Sequence, residues 1–302
     1  MSCPEAGAKH NSRRAELALL GITAAWGLTF VTVQDAVEQM PVATFLGYRF
    51  VAAALLLAAV FRRRLSGLSR RGLFQALVMG VLLTGGYLTQ TYGLQATTAS
   101  KAGFITGLFV VITPIIARLV GGPSIGRIAW AAAAVSAVGM YLLSGAGGGF
   151  TMRGDGLELL CAIIFSAHIV ATDWAVAEGH DVGALVVVQL AVVGVVCTLI
   201  AVFADQLVVP HGAGLWGALV LTAVIASALA FMVQSWAQRE ADPARTALIL
   251  AGEPAFAGFF GWWLAGDTMG LMGWVGAALI LGAILAVDAV PRLRPPRPLP
   301  EG

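Results

Sequence analysis

The sequence predicts an all-α integral membrane protein with ten transmembrane helices arranged as two inverted five-helix repeats. Three observations lead there: an extreme composition, ten apolar windows of near-bilayer length, and a duplicated order of short motifs. Of 302 residues, 59% are hydrophobic and 11% charged, and the mean hydropathy is +0.86. Such values lie far outside the range of soluble domains. A closed β-barrel also spans lipid, but it shows short segments of alternating polarity, and runs such as Val51 to Val60 do not alternate.

A bilayer core needs about 20 apolar residues per helix. Windows of that kind fall at Ala15 to Val33, Val42 to Phe61, Leu73 to Leu94, Ala99 to Val120 and Arg127 to Leu143. After a glycine cluster, Gly145 to Gly149, they resume at Leu157 to Ala175, Leu185 to Phe203, Leu215 to Trp236, Thr246 to Leu264 and Met272 to Val290. The expected repeats therefore span residues 15–143 and 157–290, and the glycine cluster reads as the flexible joint between them. The first window follows Lys9, Arg13 and Arg14, yet it has no short apolar core ending in an Ala-x-Ala site and runs on into the second window. It is read as a helix of the bundle rather than a signal peptide.

Charge placement sets the expected orientation. With the N-terminus inside, 15 of the 18 Lys and Arg fall in cytoplasmic segments, including Arg62, Arg63, Arg64, Arg70, Arg71, Arg239 and Arg245. The outer loops keep only Lys101 and Arg153, and Arg49 lies within a span. The positive-inside rule then predicts both termini in the cytoplasm of a multi-pass protein of the cytoplasmic (inner) membrane. The weakest connection is Ala177 to Val182, which has no Lys or Arg.

The two halves align by hand. Trp26-Gly27-Leu28-Thr29-Phe30-Val31 lies over Phe165-Ser166-Ala167-His168-Ile169-Val170, and Gly86-Tyr87-Leu88-Thr89-Gln90 over Ala230-Phe231-Met232-Val233-Gln234. Ile112-Thr113-Pro114 likewise matches Gly252-Glu253-Pro254. Five helices is an odd number, so the second copy enters the membrane from the opposite face. Inverted repeats of this kind allow one central site to open to each side in turn.

Several chemistries lack their residues. No P-loop, H-E-x-x-H or G-x-S-x-G pattern occurs, so ATP-driven pumping and the common hydrolase mechanisms have no sequence support. Cys3, Cys161 and Cys197 have no metal-ligand spacing and read as apolar fillers. No cofactor, metal or nucleic-acid partner is expected. The alternative class is a membrane-embedded enzyme or lipid-handling protein, which would group acids or histidines at a membrane surface. Asp173, Glu178, Asp181, Glu240 and Asp242 are instead scattered.

The chain resembles the EamA-type transporters of the drug/metabolite transporter superfamily. The resemblance rests on Ala25-Trp26-Gly27, Tyr48-Arg49-Phe50, Leu94-Gln95-Ala96-Thr97-Thr98-Ala99, Ala102-Gly103-Phe104-Ile105-Thr106-Gly107, Thr113-Pro114 and Glu253-Pro254. It implies a ten-helix secondary transporter that moves small metabolites, often amino acids, outward through a cavity lined by both halves. Departures are Phe165-Ser166 where the family often has Trp, His168 where a neutral residue is common, and Gly122-Pro123 without an acid opposite Asp267.

Against that background the polar residues inside the spans become candidates. Glu253 and His168 sit near mid-depth, where ionisable groups are costly and transporter sites cluster. Together they suggest a proton relay, with protons as coupling ion; the structural alternative is a carboxyl bonded near Pro254 and a histidine bonded to another helix. Tyr87, Gln90 and Thr91 share one helix face, and Ser227, Phe231, Gln234 and Gln238 share another, so Gln90 and Gln234 either line a pathway or tie helices together. Trp26 and Phe104 are expected to form a cavity wall or to pack. Arg49 is expected to snorkel to the headgroups, with substrate carboxylate binding as the other reading. Lys101 and Arg245 read as interfacial anchors at opposite mouths, and Gly103-x-x-x-Gly107 as a packing motif. The expected partners are a small amphipathic solute such as an amino acid, the lipid bilayer and protons, and the sequence is compatible with a homodimer.

Overall fold

The computed structural model describes residues 5–97, 99–122, 126–144, 151–260, 262–263 and 270–288. The side chain of Lys101, the 145–149 joint, Cys3, Pro123 and Asp267 lie outside the described residues. Helices follow in the order α1 (Glu5–Gln39), α2 (Val42–Leu65), α3 (Arg70–Leu94), α4 (Ala99–Gly107), α5 (Phe109–Leu119) and α6 (Arg127–Ser144). The second half continues with α7 (Asp155–Ala177), α8 (Val182–Phe203), α9 (Ala213–Leu221), a π-helical segment (Thr222–Leu229), α10 (Ala230–Ala237), α11 (Pro243–Leu250), α12 (Glu253–Phe260) and α13 (Leu271–Asp288). Among the described residues there is no strand.

Among the described residues, six helical spans are long and apolar enough to cross a membrane: α2, α3, Ala102–Leu119, α7, α8 and Ala213–Ala237. The remaining expected windows differ. The first is bent by 41° between Arg13–Thr29 and Thr32–Gln39. Beside that bend the Thr29 hydroxyl donates to the Trp26 carbonyl (3.1 Å), a back-bond that often accompanies helix bending. The ninth is split into α11 and α12, because Pro254 has no N–H and its ring collides with the carbonyl four residues earlier. Its place in the first turn of a new helix leaves no orphan donor. The fifth and tenth are shorter apolar helices, Arg127–Leu143 and Leu271–Ala286.

The helices pair across the midpoint of the chain. The most extensive contacts are α2 with α8, α6 with α13, α3 with α7 and α8, and α1 with α12 and the α9–α10 rod. Without a hydrophobic force between helices in lipid, close approach through small residues supplies the attraction. Gly139 of α6 and Gly276 of α13 illustrate it: a Cβ on either would run into the other's backbone carbonyl. One buried cluster gathers Phe45, Phe50, Met79, Leu83, Leu185 and Leu190 from α2, α3 and α8. A second gathers Leu19, Val110, Met140, Leu248 and Ile280 from α1, α5, α6, α11 and α13.

Charged pairs mark one end of the bundle. Arg64 meets Asp181 (2.9 Å) and Arg71 meets Glu178 (2.6 Å), both arginines mostly exposed. Glu16 of α1 and Arg245 of α11 form an ion pair there with both side chains about nine-tenths buried. Asp181 and Asp242, two of the scattered surface acids, cap α8 and α11 by accepting from the Ala184 and Arg245 backbone N–H groups. At the opposite end Asp155 accepts from the Thr97 hydroxyl and the Thr151 N–H, both at 2.7 Å.

Candidate functional site

The π-segment organises the centre of the molecule. In an α-helix the Ala230 N–H would bond the Ala226 carbonyl; here it reaches back to Ile225, one residue further, as π geometry requires. The carbonyl so released is taken by two side chains from the other half of the chain. Trp26 Nε1 donates to it at 2.8 Å, and an Arg49 guanidinium nitrogen at 3.2 Å. Arg49 Nε also donates to Ser227 Oγ at 2.7 Å, and the fork reaches Tyr87 Oη at 3.5 Å. The guanidinium carbon lies 5.0 Å and 5.1 Å from the ring centres of Phe50 and Tyr87, within cation–π range.

Arg49 therefore does not snorkel. Its residue is 3% exposed, and the correction has a physical reason: the freed carbonyl, a hydroxyl and two aromatic faces lie within reach, so the charge is satisfied inside the bundle. Short-range sequence reading could not find this, because the acceptors lie about 177 residues away and depend on a π-turn.

Arg49 faces a cavity of about 890 Å³, its open mouth included, between helices of both halves. Trp26 and Arg49 come from α1 and α2; Tyr87, Gln90 and Thr91 from α3; His168 from α7; Phe231 and Gln234 from α10; and Glu253 from the first turn of α12. Phe165 and Phe109 complete an aromatic wall, in which Tyr87 packs edge-on against Phe165 and Phe231. The register that lays Trp26 over Phe165 thus brings both to the same cavity.

Of the residues singled out from sequence, Trp26, Tyr87, Gln90, His168, Gln234 and Glu253 line this space. Phe104 does not: its ring packs 5.8 Å from Tyr141, because α4 turns that face toward α6, and Phe109 takes the wall position. His168 Nε2 hydrogen bonds Gln189 Oε1 of α8 at 2.9 Å. The histidine is thus tied across to another helix, and no direct hydrogen bond links it to Glu253. Gln234 Nε2 donates to Gln238 Oε1 (3.2 Å), whose own amide donates to the Ile169 carbonyl (2.8 Å). These amides tie α10 to α7 and also face the cavity. Glu253 is half-buried, and among the described residues no group hydrogen bonds its carboxyl. Cys161 and Cys197 are buried free thiols. A further acid, Glu158, which the sequence reading passed over, is fully buried against Thr106 of the cavity wall.

Comparison with known proteins agrees with this architecture. A model of the EamA-like transporter family matches the chain twice, over residues 13–145 and 152–287. An uncharacterized transporter of Archaeoglobus fulgidus is 32% identical over 274 residues, covering 91% of this chain and 85% of that protein. The uncharacterized inner membrane transporter YedA of Escherichia coli K12 is 23% identical over 290 residues, covering 93% of each. A solved structure titled only as the crystal structure of a protein superposes with a TM-score of 0.78 at 18% identity, over 91% of this chain and 96% of that one. With the family model spanning nearly the whole sequence, this multi-pass membrane protein belongs to the EamA-like transporter family.

Proposed function

We propose that the protein is a secondary transporter that exports a small amphipathic metabolite, such as an amino acid, across the cytoplasmic membrane by alternating access. The observation that carries the reading is the central cavity, walled by aromatic rings and presenting one cation, Arg49, and one carboxyl, Glu253, from opposite halves of the chain. An amphipathic solute with a carboxylate and an ammonium would find complementary groups there, and its apolar part would meet Trp26, Phe165 and Phe231. Solutes with several phosphates would meet a single arginine.

Ten helices in two inverted repeats, 15–143 and 157–290, with both termini cytoplasmic, are part of the proposal. Helix pairing supports it. Exchanging the halves turns the α2–α8 contact into itself and α6–α13 into itself, and exchanges α3–α7 with the contact of α1 and the α9–α10 rod. That reciprocity is what a two-fold relation between like-folded halves produces, and such a relation gives inward- and outward-open states of similar energy. The basic end of the bundle, where Arg64, Arg71 and Arg245 lie, faces the cytoplasm by the positive-inside rule.

Glu253 is the proposed coupling residue and the proton the proposed coupling ion. The test is solute efflux from proteoliposomes with and without the protein, with the pH gradient present or collapsed, beside a Glu253→Gln variant. Loss of efflux on both manipulations, with normal insertion, supports coupling through Glu253. Full, pH-insensitive transport by Glu253→Gln would remove the carboxyl from the mechanism.

A further inference from the structure

Glu158 occupies the first turn of α7, a position where an acid commonly serves the helix N-terminus. Asp155, the first residue of α7, is held by the preceding loops, accepting from the Thr151 N–H and the Thr97 hydroxyl. Glu158 points elsewhere. It is 0% exposed, its Oε2 accepts from the Thr106 hydroxyl at 2.5 Å, and its Oε1 is buried with no hydrogen-bond partner. The opposing helix makes room for it: a Cβ at Gly93 of α3 would stand 2.7 Å from Oε1, so a carboxyl fits only where α3 has no side chain.

The surroundings offer a charged carboxylate almost nothing. On α7 the titratable neighbours are Asp155 and Cys161, an acid and a buried thiol. α4 presents Thr106, and α3 presents Gly93 beside Thr89. No basic side chain among the described residues faces it. An unpaired buried carboxylate costs several kcal/mol, so a permanent anion there is excluded while α4 and α7 remain in contact. Packing does not need the acid either. In the register that lays Trp26 over Phe165, Glu158 falls on Leu19, which is equally buried in the first half.

We propose that Glu158 is a second proton-carrying site, separate from Glu253, which takes up and releases one proton per cycle as the α4–α7 contact opens and closes. Thr106 lines the cavity on one side and donates to Glu158 on the other, so the site reports directly on the state of the cavity wall. When the wall is closed the carboxyl is neutral. When it opens, water reaches Oε1 and the proton leaves to the solution on that side. The inference rests on the transporter reading, but its first readout needs no substrate.

The test is infrared difference spectroscopy of the full-length protein in nanodiscs between acid and alkaline pH, comparing wild type, Glu158→Gln, Glu253→Gln and Thr106→Val. A carboxylic-acid band is expected that survives Glu253→Gln, disappears in Glu158→Gln and shifts in Thr106→Val, which keeps the carboxyl but removes its donor. In proteoliposomes, Glu158→Gln should lose gradient-driven transport while retaining solute counterflow. A spectrum unchanged by both Glu158→Gln and Thr106→Val overturns the proposal, as does full pH-dependent transport by Glu158→Gln. Because Thr106→Val reports on the carboxyl without replacing it, the band assignment stands even if Glu158→Gln fails to fold. Failure of the transporter reading would appear differently, as absence of solute movement by the wild type with the Glu158 band intact.

Discussion

Replacing Gly27 by alanine tests how tightly the bent first helix holds the segment that carries Glu253. A Cβ at Gly27 would lie 2.8 Å from the Ala257 backbone nitrogen, 2.8 Å from Phe256 Cβ and 3.0 Å from the Glu253 carbonyl oxygen. These are backbone atoms or a Cβ, so none can swing aside, and α12 must retreat until the 2.8 Å contacts approach the ordinary 3.4 Å or more. Overpacking of this kind costs about 1–3 kcal/mol, set against a gain of up to ~1 kcal/mol in helix propensity when glycine becomes alanine. Gly21, on the same helix, is the control, with nothing within 4 Å of its added Cβ. Gly21→Ala should be neutral or stabilising, and Gly27→Ala should fall below it by about 1–3 kcal/mol, the overpacking cost alone. Thermal unfolding in detergent, followed by the fluorescence of the eight tryptophans, measures the difference. Equal melting of the two variants would refute the close α1–α12 crossing, and with it the placement of Glu253 against the first half of the chain.

Other expectations follow from the same contacts. Arg49→Lys keeps the charge but loses the planar fork that holds Ser227 and Ala226 together, so solute counterflow should fall at least about tenfold, equivalent to ~1.4 kcal/mol, with normal insertion. Unchanged counterflow would show that the fork is dispensable. Arg245→Ala breaks an ion pair that is about nine-tenths buried and should destabilise more than Arg64→Ala at an exposed pair, which should cost less than ~1 kcal/mol; melting of the two side by side checks the contrast. Trp26→Phe removes one neutral hydrogen bond to the Ala226 carbonyl and should cost about 0.5–1.5 kcal/mol, seen as a lower melting temperature.

Much of this molecule is legible in its sequence because lipid leaves few choices: a long apolar run must be a helix. Apolar windows and arginine clusters therefore locate α2, α3, α7 and α8 closely, while mid-depth polarity picks out Glu253 and His168, and a shared helix face picks out Gln234, as lining residues. The losses are of one kind. Arg49, read locally, belongs to the headgroups; only a carbonyl freed on a distant helix gives it an interior partner. Phe104 and Phe109 differ by five positions on either side of a break at Leu108, and helical spacing across a break cannot tell which faces inward. Glu158 hides in an ordinary helix-capping position, and its burial depends on a glycine of α3 that no pattern within α7 reveals.

The π-segment carries a further consequence. Relative to an α-helix, each π-turn admits one additional residue into the coil, and one residue corresponds to about 100° of rotation. Deleting a single residue between 222 and 229 would let the rod wind as an uninterrupted α-helix, with better backbone hydrogen bonds. Because the π-turn holds its additional residue within one wider turn, the residues beyond it, Phe231 and Gln234 included, would keep nearly their present facing, while the Ala226 carbonyl would return to its own helix. The shortened rod would still satisfy lipid, yet Trp26 and Arg49 would lose their common acceptor. The irregular winding thus supplies an interior acceptor to two donors of the other half without turning the residues that follow it away from the cavity.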